Sequence, residues 1–157
     1  MEKSIKKSIQ TNSKRETQQL AGKFSQDLLL RPKKSQGAFV VGLQGDLGSG
    51  KTTFIQGFAR GLGIKEKVLS PTFVIVKAYK IPDTRYKIQN LYHIDCYRIK
   101  DEYDLLSLGW DKIVSDPKNL VLIEWSDRIR KILPKDTISI SFATTAERKR
   151  RITFSHR

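Results

Sequence analysis

The feature that most constrains this chain is a glycine-rich segment, GDLGSGKTT, at residues 45–53. It satisfies the pattern G-x-x-x-x-G-K-[ST] through Gly45, Gly50, Lys51 and Thr52. Glycines allow the backbone to turn tightly, and successive N–H groups together with the start of the following helix form a cradle for anions. The segment therefore predicts that the chain binds the phosphates of a nucleoside triphosphate.

The residues on both sides of this loop have the composition expected of the strand and the helix that flank a phosphate-binding loop. Residues 38–44 are apolar and rich in β-branched side chains, which predicts a buried strand that leads into the loop. Apolar residues then recur every four positions over residues 54–62, which predicts a helix that ends at Gly61 and Gly63. We therefore predict an α/β fold of the P-loop nucleotide-binding type.

The other segments predict a three-layer fold with a mixed central sheet that includes antiparallel hairpins. An apolar run at residues 119–123 predicts a central strand buried on both faces. One hairpin is predicted from residues 70–79 and 86–98, and a terminal one from 137–142 and 148–154, turning around 144–146. Helices are predicted after a capping box at 13–16 and over residues 102–108, 110–115 and 127–133. The length of 157 residues suits a single domain, 1–157.

The net charge of +14 is concentrated at the two ends of the chain. Residues 1–15 carry five Lys or Arg against one Glu, and residues 147–157 carry the same balance, so each end has a net charge of +4 and the middle +6. Basic ends, about 1–12 and 148–157, suit contact with RNA or an acidic partner through counterion release. They equally suit mere solubility, and both interpretations stay open.

Cysteine, histidine and hydropathy patterns narrow the class of protein. Cys96 is the sole cysteine, which excludes an internal disulfide, and two histidines are too few for a zinc cluster. The sequence has neither a run of 18 apolar residues nor a secretory signal, so we expect a cytoplasmic protein without a membrane partner. Any metal is expected to be the ion that accompanies the nucleotide.

Two acidic residues follow predicted strands, where an open α/β sheet places its ligands. Glu124 comes directly after the central apolar run, as a Walker B acid would, and Asp95 lies in the segment YHIDCYR at 92–98. Strand alternation puts His93 and Asp95 on one face. Either carboxylate can hold a metal-bound water or orient the attacking one; the alternative is a hydrogen-bonded or helix-capping role. His93 is interpreted as a structural group with its hydrogen bonds satisfied.

Four stretches in a fixed order resemble one protein family. They are residues 45–54 (GDLGSGKTTF), 70–73 (SPTF), 93–98 (HIDCYR) and 123–125 (IEW). Together they are similar to TsaE, formerly YjeE, the P-loop ATPase family of bacterial tRNA threonylcarbamoyladenosine synthesis. The resemblance implies an ATP-binding and ATP-hydrolysing accessory protein that works with TsaD and TsaB and depends on Mg²⁺. Because the sequence shows no obvious arginine finger, we expect its turnover to be slow alone and faster in the partner complex.

The resemblance also implies roles for individual residues. Lys51, Asp95 and Glu124 would be catalytic, and Thr52 and Glu124 would hold the metal. Ser70 and Thr72 would lie on a loop that senses the terminal phosphate, and Trp125 would mark the site. The nucleotide would be bound by Gly45, Asp46, Leu47, Gly48, Ser49, Gly50, Lys51, Thr52 and Thr53.

Other P-loop functions remain as alternatives. A small GTPase is disfavoured because the chain lacks an N-K-x-D sequence and a D-x-x-G after the loop. A small kinase that phosphorylates a metabolite shares the loop and the fold. A nucleotide-regulated RNA-binding module would use the basic ends to contact tRNA. No arginine stands at a spacing that identifies an arginine finger, and Arg98 is a candidate only because it follows Asp95 in sequence.

Overall fold

One mixed sheet organises the computed structural model, which describes residues 5–33, 36–71 and 73–156. Within these ranges the sheet has seven strands. They are β1 (Ile5–Thr11), β2 (Phe39–Gly45), β3 (Val76–Lys80), β4 (Asn90–Asp95), β5 (Asn119–Glu124), β6 (Ile138–Ala146) and β7 (Lys149–His156). The helices are α1 (Lys14–Leu30), α2 (Lys51–Gly61), α3 (Glu102–Leu106), α4 (Trp110–Ser115) and a short 3₁₀ helix, Ser126–Ile132.

The strand order is β1-β7-β6-β2-β5-β4-β3. The four inner strands β6, β2, β5 and β4 are parallel, whereas β3 pairs with β4, β7 with β6, and β1 with β7 in antiparallel fashion. Every residue of β5 is buried, as expected of a central strand covered on both faces. The predicted P-loop fold with a mixed sheet and antiparallel hairpins is thus confirmed.

Two apolar cores lie on opposite faces of the sheet and give the fold its three layers. Residues of α1 and α2, such as Leu28 and Phe54, pack on one face together with Leu43 and Leu122. Residues of α3, α4 and the 3₁₀ helix pack on the other face with Val40 and other strand residues. Alternation along β2 and β5 therefore sends successive side chains into different cores.

Helices α1 and α2 cross at unusually close range because glycines form the contact. A Cβ added to Gly57 would lie 2.3 Å from the backbone oxygen of Gln18, and one on Gly61 would lie 2.4 Å from the backbone oxygen of Gly22. Gly61 ends α2 as predicted, and Gly63 follows with φ of +81°. The two helices are consequently held tightly against each other.

The basic ends of the sequence form neighbouring strands where the structure describes them. β1 was not predicted, and it pairs with β7 from Ile5 opposite His156 to Thr11 opposite Arg150. Only Ile5 and Ile9 are apolar in β1, and the strand lies at the sheet edge with most side chains exposed. Its strand state depends on a partner near the other end of the sequence, which local patterns do not reveal.

Several predicted boundaries differ from the structure. The strand expected from residue 70 begins only at Val76, after a loop in which Ile75 has φ of +65°. The helix expected at residues 127–133 is a 3₁₀ helix, and the last hairpin turns at residues 147–148 instead of 144–146.

Ser13 caps α1 by accepting from the N–H of Glu16, whose carboxylate accepts from the N–H of Asn12.

Among the described residues, no helix has the length and apolar character needed to cross a membrane.

Candidate functional site

The glycine-rich loop leaves the carboxyl end of β2 and enters α2 at Lys51. Gly45, Gly48 and Gly50 have φ values of +150°, +76° and +104°, which favour residues without a Cβ. At Gly45 a Cβ would also lie 2.6 Å from the backbone oxygen of Phe142, on the neighbouring strand β6. The loop conformation therefore depends on its glycines, and the order strand, loop and helix is as predicted.

Lys51 lies under this loop with only 5% of its surface exposed. Its Nζ donates to the backbone oxygens of Gly45 (2.6 Å) and Asp46 (2.9 Å) and lies 4.3 Å from the ring centroid of Trp125. Burial lowers the pKa of the Lys51 amine below its ordinary value, while nearby carboxylates, Glu124 foremost, act in the opposite direction. The amine is thus held at the loop by backbone oxygens and an aromatic face.

Glu124, the last residue of β5, contacts the first turn of α2. Its Oε1 accepts a hydrogen bond from the Thr52 hydroxyl at 3.1 Å. Its Oε2 lies 2.8 Å from Nε2 of His93 on the adjacent strand β4. The carboxylate is 4% exposed, so both of its oxygens are fixed inside the protein at the edge of the cleft.

Asp95 ends β4 and stands opposite Glu124 in the parallel pairing of β4 with β5. Its Oδ2 accepts from the Ser70 hydroxyl, and its Oδ1 accepts from the N–H of Tyr97, both at 2.9 Å. The Asp95 N–H donates to the backbone oxygen of Ile75 at 2.9 Å. Asp95 therefore ties the loop that precedes β3 to the site. Thr72, expected on the same loop, lies outside the described residues.

Trp125 follows Glu124 with φ of +57°, a conformation that is costly for a residue with a side chain. This turn places its ring over the Lys51 amine and 5.2 Å from the ring of Tyr97. The Arg128 guanidinium lies near both rings, 5.7 Å from that of Trp125. The aromatic residue expected at the site thus forms part of its wall.

These elements border a cleft of about 830 Å³. We call its two parts the inner half and the outer half. The inner half consists of Leu47, Gly48, Gly50, Lys51, Thr52, Thr53, Ser70, Asp95, Tyr97, Glu124 and Trp125. The outer half consists of Ser13, Lys14, Arg15 and Thr17 at the start of α1, with Glu147, Arg148 and Arg150 at the β6–β7 hairpin.

Arg150 connects the two halves of the cleft. Its Nη2 donates to the backbone oxygen of Gly48 at 3.3 Å, and its Nη1 donates to backbone oxygens of the hairpin turn, including that of Glu147. Its side chain also covers Gly50, since a Cβ there would lie 3.8 Å from the Arg150 Cγ. The guanidinium is therefore held beside the phosphate-binding loop by four backbone oxygens.

The structure brings together the predicted side chains Lys51, Thr52, Asp95 and Glu124. Gly45, Asp46 and Ser49 belong to the loop but do not line the cleft; the first two accept from Lys51. Arg98 also lies away from the cleft, with its guanidinium 4.9 Å from the ring centroid of Phe73.

The outer half of the cleft and the contact of His93 with Glu124 were missed from the sequence. The residues of the outer half gave no signal beyond the capping box at Ser13 and the cluster of basic residues that includes Arg150. His93 has a hydrogen bond at Nε2, as a structural group would. Its Nδ1 is buried without a partner among the described residues, however, so the interpretation that its hydrogen bonds are satisfied was wrong.

A magnesium ion fits the donors at the inner half. The Thr52 hydroxyl and the Glu124 carboxylate are hard oxygen donors, and they are adjacent. The described residues contain no group of three or more His, Cys, Asp or Glu side chains arranged to hold a metal. An ion here would take its other ligands from phosphate and water, as Mg²⁺ usually does in nucleotide sites.

Residues 11–152 match the family model described as "Threonylcarbamoyl adenosine biosynthesis protein TsaE". The protein of that family from Bacillus subtilis, named tRNA threonylcarbamoyladenosine biosynthesis protein TsaE, is 41% identical over 116 residues, which cover 74% of this chain and 68% of the relative. The protein of the same name from Rickettsia prowazekii is 36% identical over 140 residues, covering 88% of each chain.

The fold is also similar to a crystal structure of YdiB from Bacillus subtilis. The two structures superpose with a TM-score of 0.76 at 30% sequence identity, over 99% of this chain and 88% of the other. Similarity thus extends over the sheet, the loop and both halves of the cleft.

Proposed function

The chain belongs to the TsaE family, and on this premise we propose that it binds and hydrolyses magnesium-ATP in support of threonylcarbamoyladenosine modification of tRNA. The observation that supports this most is the meeting of three groups at one edge of the sheet. The Lys51 amine, the Thr52 hydroxyl and the Glu124 carboxylate converge beside a loop whose glycines favour phosphate binding.

The inner half would bind the triphosphate. Backbone N–H groups of residues 45–53 would surround the phosphates. The Lys51 amine would leave the backbone oxygens of Gly45 and Asp46 and bind the terminal phosphates instead. Thr52 and Glu124 would hold a magnesium ion, which neutralises charge on the β- and γ-phosphates when bound. The outer half would take the nucleoside, with Arg150 beside the phosphates and the first turn of α1 opposite the hairpin.

Hydrolysis would require a positioned water and no covalent intermediate on the protein. The water oxygen forms a bond to the γ-phosphorus while the bond to the β–γ bridging oxygen breaks. The products are ADP and inorganic phosphate, and the proton that the water loses passes to solvent. Asp95 is fixed through both of its carboxylate oxygens. It would either orient this water or support the loop that precedes β3 beside the γ-phosphate. Lys51 would stabilise the negative charge that develops on the phosphates as this bond to ADP breaks.

Partner proteins complete the proposal. We propose that the chain associates with TsaD and TsaB and that its turnover is slow alone and faster in their complex. The loop between α2 and β3 offers exposed apolar side chains for such contacts, among them Leu69 at 54% and Phe73 at 85% exposure. This loop is joined to the inner half through Ser70 and Asp95, so a partner that contacts it can influence hydrolysis.

Phosphate release is the measurement that tests this proposal. The protein is mixed with magnesium-ATP or magnesium-GTP, with and without TsaD and TsaB, while complex formation is followed by size-exclusion chromatography. We expect hydrolysis selective for ATP, association with the pair, and faster release in the complex. Equal rates with and without the pair would reject activation. Phosphate transfer to a metabolite instead of water would favour the kinase alternative.

A nucleotide-regulated RNA-binding role is the second candidate, favoured by one observation. The adjacent strands β1, β7 and β6 contain five Lys or Arg and no Asp or Glu. Deletion of residues 1–12 and 149–157 is unsuitable as a test because it removes β1 and β7 from the sheet. Replacing exposed Lys6 and Arg151 by Gln tests the same idea with the fold retained. Unchanged tRNA affinity and salt dependence would reject this candidate.

A further inference from the structure

His93 is a buried polar residue with a hydrogen bond at one of its two ring nitrogens. It lies on β4 with none of its surface exposed, and its register partner on β5 is the apolar Leu122. Its Nε2 lies 2.8 Å from Oε2 of Glu124, whereas its Nδ1 has no hydrogen-bond partner among the described residues. A leucine here would remove the partner of the buried Oε2 of Glu124, so the hydrogen bond to this carboxylate is what a polar side chain supplies at this position.

The unpaired Nδ1 decides which tautomer the site favours. A buried N–H without an acceptor is unfavourable, whereas a nitrogen that carries only a lone pair leaves no donor unsatisfied. The tautomer with its proton on Nε2 therefore suits this position, since Nε2 can donate to the Glu124 carboxylate and Nδ1 keeps only a lone pair. His93 is then a donor aimed at the acid proposed to hold the metal.

The carboxylate of Glu124 needs such a donor to keep one orientation. The terminal torsion of a glutamate is broad, so an unsupported carboxylate rotates easily. Here Oε1 accepts from the Thr52 hydroxyl, and the other oxygen, Oε2, contacts His93. Partners that orient metal-binding carboxylates typically change metal affinity or activity by about 10–100-fold when removed.

We propose that His93 is a positioning residue whose Nε2–H holds the Glu124 carboxylate in one orientation. In this orientation Oε1 faces the Thr52 hydroxyl, so that Oε1 and the hydroxyl oxygen are placed to bind one magnesium ion. This inference rests on the proposed function, because it concerns how magnesium-nucleotide is bound. His93 itself acts through Glu124 and touches neither the ion nor the nucleotide.

Two amide substitutions separate this role from simple packing. His93→Gln places an amide N–H at a reach similar to that of Nε2, while His93→Asn offers the same chemical group one bond shorter. His93→Leu removes the donor and replaces the imidazole with an apolar side chain of similar size. The Gln and Asn variants are matched in polarity and charge, so a difference between them reports the position of the donor.

The quantity to measure is the magnesium gain, defined as the ratio of the dissociation constant of a non-hydrolysable ATP analogue in EDTA to that in Mg²⁺. Calorimetric titration gives both constants without any turnover. We expect His93→Gln to keep the wild-type gain and His93→Asn and His93→Leu to reduce it about 10–100-fold. Affinity in EDTA should stay the same in all variants, since the phosphate-binding loop is unchanged.

Each result has a distinct meaning. A wild-type gain retained in His93→Asn and His93→Leu would overturn the positioning role, as would an equal loss in Gln and Asn. Absence of any magnesium gain in the wild type would instead overturn the proposed function. If His93→Leu unfolds, the comparison of Gln with Asn decides the question by itself.

Discussion

The two halves of the cleft are built in opposite ways. The inner half comes from the phosphate-binding loop, from the ends of two adjacent parallel strands and from Ser70 on the loop that precedes β3. The outer half joins the first turn of α1, near the start of the chain, to the β6–β7 hairpin near its end. Each segment of the inner half therefore has a distinctive local sequence, whereas the outer half comes from two short segments with little local signal at opposite ends of the chain.

The two halves of the cleft also differ in the charge of their side chains. The inner half sets one buried amine, that of Lys51, against the carboxylates of Asp95 and Glu124. The outer half is mostly cationic, with Lys14, Arg15, Arg148 and Arg150 against Glu147. We expect the inner half to control both phosphate binding and hydrolysis, and the outer half to contribute to affinity alone.

The largest effect is expected from Lys51→Ala. The amine would make charge-assisted contacts with phosphate, each worth about 1.5–3 kcal/mol, so nucleotide affinity should fall by about 100-fold and hydrolysis should be lost. Calorimetry and phosphate release measure the two effects, and an unchanged thermal midpoint would show that the fold persists. Normal turnover in this variant would mean that the inner half is not the site.

Glu124→Gln tests whether hydrolysis can be lost without loss of binding. The amide keeps the shape of the side chain but removes the charge that would hold the magnesium ion. Turnover at saturating nucleotide should fall by about 100-fold, or about 2.7 kcal/mol, while affinity in EDTA stays within about threefold of the wild type. Wild-type turnover would remove Glu124 from the proposed metal site.

Arg150 and Arg151 provide a matched pair for the outer half. They are neighbours on β7, but Arg150 lines the cleft and Arg151 does not. Arg150→Ala should weaken nucleotide binding about 10-fold, or about 1.4 kcal/mol, with little change in turnover at saturation. Arg151→Ala should leave both unchanged. Equal effects of the two substitutions would indicate that overall charge, and not the cleft, determines affinity.

A smaller effect is expected from pH. Burial lowers the pKa of Lys51 from its ordinary value of 10.5, and only the protonated amine attracts phosphate. Nucleotide affinity should therefore decrease as the pH rises through this lowered pKa, and binding should take up protons in that range. Lys51→Arg should remove the pH dependence, because arginine stays protonated. Titrations between pH 7 and pH 10 measure it, and parallel curves for both proteins would contradict the assignment.

Local patterns predicted most of the fold and the inner half of the cleft. The loop, β2, α2 and β5 have distinctive compositions over consecutive residues, and the acids Asp95 and Glu124 were recognised because they follow apolar strands. The shorter extent of β3 was not predicted, because residues 70–75 have strand composition, whereas residues 70, 71 and 73–75 form a loop that Ser70 ties to Asp95. Such a contact depends on tertiary structure and leaves no local pattern.

Long-range pairing explains the other omissions. β1 is a strand because it pairs with β7, and its own sequence offers few apolar residues. Arg150 was visible only as one member of a basic cluster until the hairpin placed it against Gly48. The bond between His93 and Glu124 likewise joins two strands that are separated in sequence and adjacent in the sheet.

The strand order also has a consequence for the timing of folding. β2, which carries the phosphate-binding loop, pairs with β5 and β6. Both partners lie far downstream in the sequence, at residues 119–124 and 138–146, so the ribosome makes them long after β2. At about 5–20 residues per second, the ribosome needs roughly 4–15 s to reach β5 after completing β2. During this interval the apolar strand has no sheet partner, and folds dominated by such distant pairings form slowly. We therefore expect the nascent chain to remain unable to bind nucleotide until synthesis is nearly finished.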